Sequence, residues 1–174
     1  TLISNAQNSA PELDVLIESG QAKIELGDFE GAIKVLSDAL KLDSESLKAI
    51  YYRGLAKYRK GDDNGAIIDL TNSIKISPNN SDLYNQRGIA RFNVKNYLGA
   101  IDDQNKAIEL SPDNINAIYS RGKAKHFLGA LEEAMLDYNI AIANSEMEAY
   151  NSRGLLKRDL DDYEGAIDDF NNAI

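Results

Sequence analysis

The sequence predicts an all-α chain: a right-handed α-solenoid, a superhelix of stacked antiparallel helix pairs. Three observations carry that prediction. A stretch of eighteen residues recurs five times: SGQAKIELGDFEGAIKVL from Ser19, RGLAKYRKGDDNGAIIDL from Arg53, RGIARFNVKNYLGAIDDQ from Arg87, RGKAKHFLGALEEAMLDY from Arg121 and RGLLKRDLDDYEGAIDDF from Arg153. The recurrence keeps a period, since Gly20, Gly54, Gly88 and Gly122 stand 34 residues apart and Gly154 follows after 32. A fixed period of this length marks a stacked array. Within each copy the apolar residues return at helical spacing, and no run alternates with period two for long enough to build a sheet.

Residues 1–12, TLISNAQNSAPE, are polar, lack the repeat and read as a flexible leader with room for a short helical piece. The repeating units follow as 13–46, 47–80, 81–114, 115–146 and 147–174, the last truncated. The second shows the pattern most clearly. Ile50, Leu55 and Tyr58 mark one helix; Ala66, Ile67, Leu70 and Ile74 mark the next. Between them KGDDN breaks the chain, with Gly61 as helix terminator and Asp62 as N-cap. Pro78 and Pro112 stop the second helix of their units, because proline cannot continue a helix. The fourth unit closes on ANSE without proline, and the fifth lacks its last turn. With Thr1 at one end and a broken repeat at the other, the chain reads as trimmed or processed. Its apolar C-terminal edge is expected to be covered by further sequence or by another molecule.

The five glycines need a common cause, since a glycine inside a helix costs about 1 kcal/mol relative to alanine. Alanine follows twelve residues after each (Ala32, Ala66, Ala100, Ala134, Ala166), and a small residue seven beyond that (Ala39, Ser73, Ala107, Ala141, Ala173). The expectation is a close helix–helix approach, with the partner helix's small residue facing the glycine. One pair cannot bury its apolar face alone; stacked pairs share a core.

Charge and composition exclude several functions. A net charge of −9 and a pI near 4.6 oppose binding to nucleic acid or to anionic lipid. No stretch is apolar and long enough to span a bilayer and no signal peptide is visible, so membrane insertion is not expected and a cytoplasmic location is favoured over a processed secreted one. Without cysteine there are no disulfides or thiolate metal sites. His126 is the single histidine, which leaves no His-paired triad or multi-histidine metal site. The acidic pairs Asp62/Asp63, Asp102/Asp103, Asp161/Asp162 and Asp168/Asp169 fit no calcium loop and read as caps and solvated faces. No catalytic residue, metal or cofactor is expected.

Arg53, Arg87, Arg121 and Arg153 recur with a basic residue four positions on (Lys57, Arg91, Lys125, Lys157). Asp69, Asp103, Asp137 and Asp169 repeat at the same interval on the second helices. Matching intervals predict an internal ion-pair network rather than a basic strip for partners.

The period, the glycines, the alanines, the small residues and the unit-ending prolines together resemble the tetratricopeptide repeat over Leu13 to Ile174. The tryptophan usual in that family's first helix is absent, its place taken by Leu16, Ile50, Tyr84, Ile118 and Tyr150. The resemblance implies a non-enzymatic protein–protein interaction scaffold whose first helices line a concave groove that holds a peptide segment of a partner. Carried onto this chain, the groove residues are Lys48, Tyr51, Tyr52, Tyr58, Asn85, Phe92, Tyr119, Lys123, His126, Phe127 and Asn151. Rings beside amides and bases suit an extended peptide. Packing between successive first helices is the competing account of Tyr58 and Phe92. No register supplies the cations with which co-chaperone members clamp a chaperone's C-terminal carboxylate, so that ligand is excluded. Two other roles stay open: self-association through the C-terminal edge, and a docking arm of a larger enzyme.

Overall fold

The structure, a computed structural model, describes the backbone of residues 2–174 and the side chains of residues 11–174. Among the described residues ten α-helices follow one another with no strand: α1 (Leu2–Glu25), α2 (Phe29–Leu42), α3 (Leu47–Lys60), α4 (Asp63–Ile76), α5 (Ser81–Asn93), α6 (Tyr97–Leu110), α7 (Ile115–Phe127), α8 (Leu131–Ala143), α9 (Glu148–Asp159) and α10 (Tyr163–Asn172). The stretch expected as a flexible leader is helical from Leu2 onward and continuous with α1, which runs through Pro11.

Short sequence devices set the turns between paired helices. Asp28, Asp62, Asn96 and Asp162 cap the second helices, each side chain accepting from the backbone N–H of a glycine three residues on, at 2.9–3.1 Å. That glycine has a steric reason: a Cβ on Gly31 or Gly65 would run into the capping carboxylate itself. Ala130 provides no such cap on α8, and there the glycine's place is taken by Glu133. Just before each cap the backbone turns left-handed. Gly61 does so at φ 89°, while Lys95 and Asp161 accept the same strained conformation at φ 62° and 61°.

The chain forms two compact units, the first reaching Asn79 and the second running from Asn80 to Ile174. In the first, α1 packs on α2, α2 on α3 and α3 on α4. Two apolar clusters fill it, Ile17 with Ala39 and Ala49, and Ala32 with Leu36 and Ala56; Tyr52 packs against both. The second unit stacks α5 through α10 in the same consecutive way, around Ala134, Tyr138 and Leu156.

The glycines do sit at close approaches, yet what faces them differs from the sequence expectation. A Cβ on Gly20 would lie 2.5 Å from Leu36 Cγ, and one on Gly154 would lie 2.6 Å from the Phe170 ring. Each glycine therefore makes room for a large side chain of its paired helix. The small residues do different work: Ala39, Ala107 and Ala141 are fully buried.

The ion-pair network forms as the matched intervals predict. Arg53 grips Asp69 with two parallel bonds of 2.9 and 2.7 Å, and Lys57 adds a third at 2.7 Å. Arg87 and Arg91 do this for Asp103, Arg121 and Lys125 for Asp137, and Arg153 and Lys157 for Asp169. Each of these aspartates is no more than 4% exposed. The arginines also reach back one repeat: Arg121 donates to Asn105 at 2.9 Å and Arg153 to Asn139 at 2.6 Å. Within the second unit the network thus ties the two helices of a pair and joins that pair to the one before it. The first repeat holds Ser19 and Val35 at these two places, and Lys23 turns to Asp28 instead, at 2.7 Å.

Asp169 gives this network a pH signature. Burial pushes its carboxyl up, but the bonds from Arg153 and Lys157 outweigh burial and hold it below the usual carboxylate value. A carboxyl depressed in the folded state stabilises fully above its unfolded value of about 3.9, and that stability is lost as pH falls through the folded value. Urea midpoints of the chain are therefore expected to be level with respect to this group down to about pH 5 and to fall below about pH 4. Asp169→Asn should be less stable at neutral pH, with its deficit shrinking as the acid limb is descended. A deficit constant down to pH 2 would contradict the assignment.

Candidate functional site

In the first unit α3 carries four of the expected groove residues. Lys48 is exposed, Tyr51 and Tyr58 are half-buried, and the Tyr51 and Tyr52 rings meet edge to face with centroids 5.2 Å apart. Tyr52 spends its ring on both apolar clusters, which makes it a packing residue first.

The second unit gathers a denser group. Tyr119, Lys123 and Phe127 are spaced four apart on α7 and so share one face, as Asn85 and Phe92, seven apart, do on α5. The Lys123 ammonium lies over two rings, 5.3 Å from the Phe92 centroid and 5.5 Å from that of Tyr119. Phe92 meets Phe127 edge to face at 5.2 Å. Tyr97 of α6 completes the cluster, 5.3 Å from Phe92 and stacked on Phe127 at 5.4 Å. Phe127 remains 62% exposed. The result is an open aromatic surface with one ammonium set between its rings.

Around that surface the polar groups differ in how far they are satisfied. The Tyr119 hydroxyl pairs with Ser152 Oγ at 2.9 Å; burial pushes its pKa up against that bond, helped by the negative charges of Glu148 and Glu146. Burial likewise pushes up the hydroxyl of Tyr138. His126 is held between α9 and α8, its Nε2 3.1 Å from Asp159 and its Nδ1 3.5 Å from the Tyr138 hydroxyl. Arg158 and His126 hold the Asp159 carboxyl below its usual value. Asn85 is only 6% exposed. Its backbone carbonyl accepts from Gln104 at 3.3 Å, while its side-chain Oδ1 has no partner. Asn151 is exposed and lines a cavity of about 470 Å³ with Tyr119, Met147, Glu148, Phe170, Ala173 and Ile174.

The structure therefore brings Phe92, Tyr119, Lys123 and Phe127 into one surface and places His126 beside it. Asn151 sits in a hollow that shares Tyr119 with that surface. Tyr97 escaped the sequence reading because every expected contact was carried on first helices. Its signal was the aromatic residue that opens a second helix in three repeats, Phe29, Tyr97 and Tyr163. Among the described residues no group of three or more His, Cys, Asp or Glu is placed to hold a metal, and no helix is long and apolar enough to cross a membrane.

Known families match three stretches of the chain. Residues 81–114 and 148–174 match the tetratricopeptide repeat, and residues 20–61 match a further TPR repeat description. The chain belongs to the tetratricopeptide repeat family. Solved structures agree on the fold of this tetratricopeptide array. A crystal structure of MamA is 27% identical, with 88% of this chain and 91% of that one covered and a TM-score of 0.79. MamA 41-end from Desulfovibrio magneticus RS-1 is 20% identical, with 92% of each chain covered and a TM-score of 0.84. YrrB, described as a TPR protein with an unusual peptide-binding site, is 20% identical over 91% of this chain and 83% of its own, at a TM-score of 0.74. No curated protein matches the chain. Tetratricopeptide arrays are protein–protein interaction scaffolds, and this chain is an all-α array of that kind.

Proposed function

We propose that the array binds a peptide segment of a partner protein on its first-helix face, with the contacts centred on Phe92, Tyr119, Lys123 and Phe127 of the second unit. Lys48, Tyr51 and Tyr58 form a candidate contact surface of their own on α3 of the first unit. The observation that carries this reading is the open aromatic surface itself. Phe127 leaves most of its ring in water although three other rings stand within reach to bury it. Large amphipathic rings of this kind are the common anchors of interfaces, because they bury area at low entropic cost.

The experiment is a selection of random decapeptides displayed on phage against the full chain. Selected peptides are expected to bind Phe127→Ser at least about tenfold more weakly, a loss of about 1.4 kcal/mol. Equal binding to wild type and variant would refute the placement. Because Phe127 is largely exposed, the variant should keep the wild-type circular dichroism.

A second reading has one observation behind it. Ile33, Ile67, Ile101 and Met135 are half-buried, whereas Ile167 of α10, at the same repeat position, is 59% exposed, and Ile174 beyond it is fully exposed. Self-association through this edge predicts a sedimentation mass that rises with concentration and falls back on Ile167→Lys.

A further inference from the structure

We infer that the peptide bound at α5 and α7 presents a carboxylate side chain to Lys123 and, two residues away, an apolar side chain to Phe127 and Tyr97. This deepens the peptide-binding reading and rests on it. Lys123 differs from the basic residues beside it. Arg121 and Lys125, on the same helix, both end on Asp137 at 2.6 and 2.8 Å. Lys123 is half-buried, yet among the described residues its ammonium meets only the two rings. A ring face offsets part of the positive charge but satisfies none of the three N–H donors in full. A carboxylate arriving there makes charge-assisted hydrogen bonds, and the Phe92 and Tyr119 rings cover one side of the ammonium.

The charge also excludes the opposite partner, since a basic side chain would be placed against an ammonium with no carboxylate beside it. The Asp159 carboxylate of α9 is already occupied by Arg158 and His126.

Spacing turns the two subsites into a motif. Lys123 and Phe127 are four residues apart on α7, a rise of about 6 Å. Side chains i and i+2 of an extended peptide point the same way about 6.6 Å apart. The bound segment should therefore read acidic-x-apolar or its reverse.

The decapeptide selection tests this when it is run against the full chain, Lys123→Met, Lys123→Glu and Phe127→Ser. The expected result is enrichment of Asp or Glu two residues from an apolar residue, with binding about tenfold weaker to Lys123→Met. Selection on Lys123→Glu should enrich Lys or Arg at the acidic place. Lys123→Arg, which keeps the charge, should retain binding and so separates loss of charge from loss of fold. Peptides that need Phe127 but carry no acidic residue and ignore Lys123→Met would overturn the inference and leave the peptide-binding reading intact. A selection that yields no peptide dependent on Phe127 would overturn both.

Discussion

Asp137→Asn is expected to lower the unfolding free energy by about 3 kcal/mol, the usual cost of removing one partner of a buried ion pair. Asp137 is 3% exposed and takes three charged bonds: 2.9 and 2.6 Å from Arg121 and 2.8 Å from Lys125. Asparagine keeps the shape but turns an NH₂ toward donors and leaves two half-buried cations without a counter-charge. Arg121 is also the residue that reaches Asn105 in the preceding repeat, so the loss should loosen the contact of α7 with α6 as well as with α8. The control is Asp38→Asn. Its pair with Lys41 is solvent-exposed at 2.6 Å, and exposed pairs contribute about 0–1 kcal/mol. Urea unfolding of both variants separates the two cases. A cost for Asp137→Asn no larger than that of the control would show that the network carries no stability.

That network was legible before any coordinates, because the aspartates repeat at the arginines' own interval and two matched series can be paired by counting. The partner of the glycines was not legible in the same way. Counting shows that a glycine and a small residue recur together, but which residue faces Gly20 depends on the rotation of α2 about its own axis. That rotation turns Leu36, not Ala39, into the gap. The family resemblance named Tyr119, Lys123 and Phe127 on α7, and residues four apart on a helix share a side. It missed Tyr97, which enters that surface from a second helix, and it did not see that Tyr52 is occupied on both sides by core clusters. The unpartnered state of Asn85 was equally hidden, since an amide on a first helix reads as solvated until the burial around it is known. Repeat spacing encodes which elements form and which series pair. Orientation and satisfaction are settled only by packing.

Gly20→Ala is expected to change sign with its background. In an ordinary helix this substitution stabilises by about 1 kcal/mol. Here the new Cβ would lie 2.5 Å from Leu36 Cγ and 2.6 Å from its Cδ2. Leu36 is fully buried among Ala32, Ala56 and their neighbours, so it has nowhere to retreat, and overpacking of this kind costs about 1–3 kcal/mol. The net effect in the wild-type chain should be a loss. Leu36→Ala alone should cost about 2–5 kcal/mol, through lost burial and the cavity left behind. It also removes every atom that the Cβ would strike. In that background Gly20→Ala should stabilise by up to about 1 kcal/mol, regaining its helical preference and filling part of the void. Four urea curves close the cycle, and the expected coupling between the two sites is about 1–3 kcal/mol, above the few tenths that separate sites show. If Gly20→Ala instead stabilised the wild-type chain, α1 and α2 could not be packed as closely as the repeating glycines require. The shared core that stacked pairs need would then have to be built some other way.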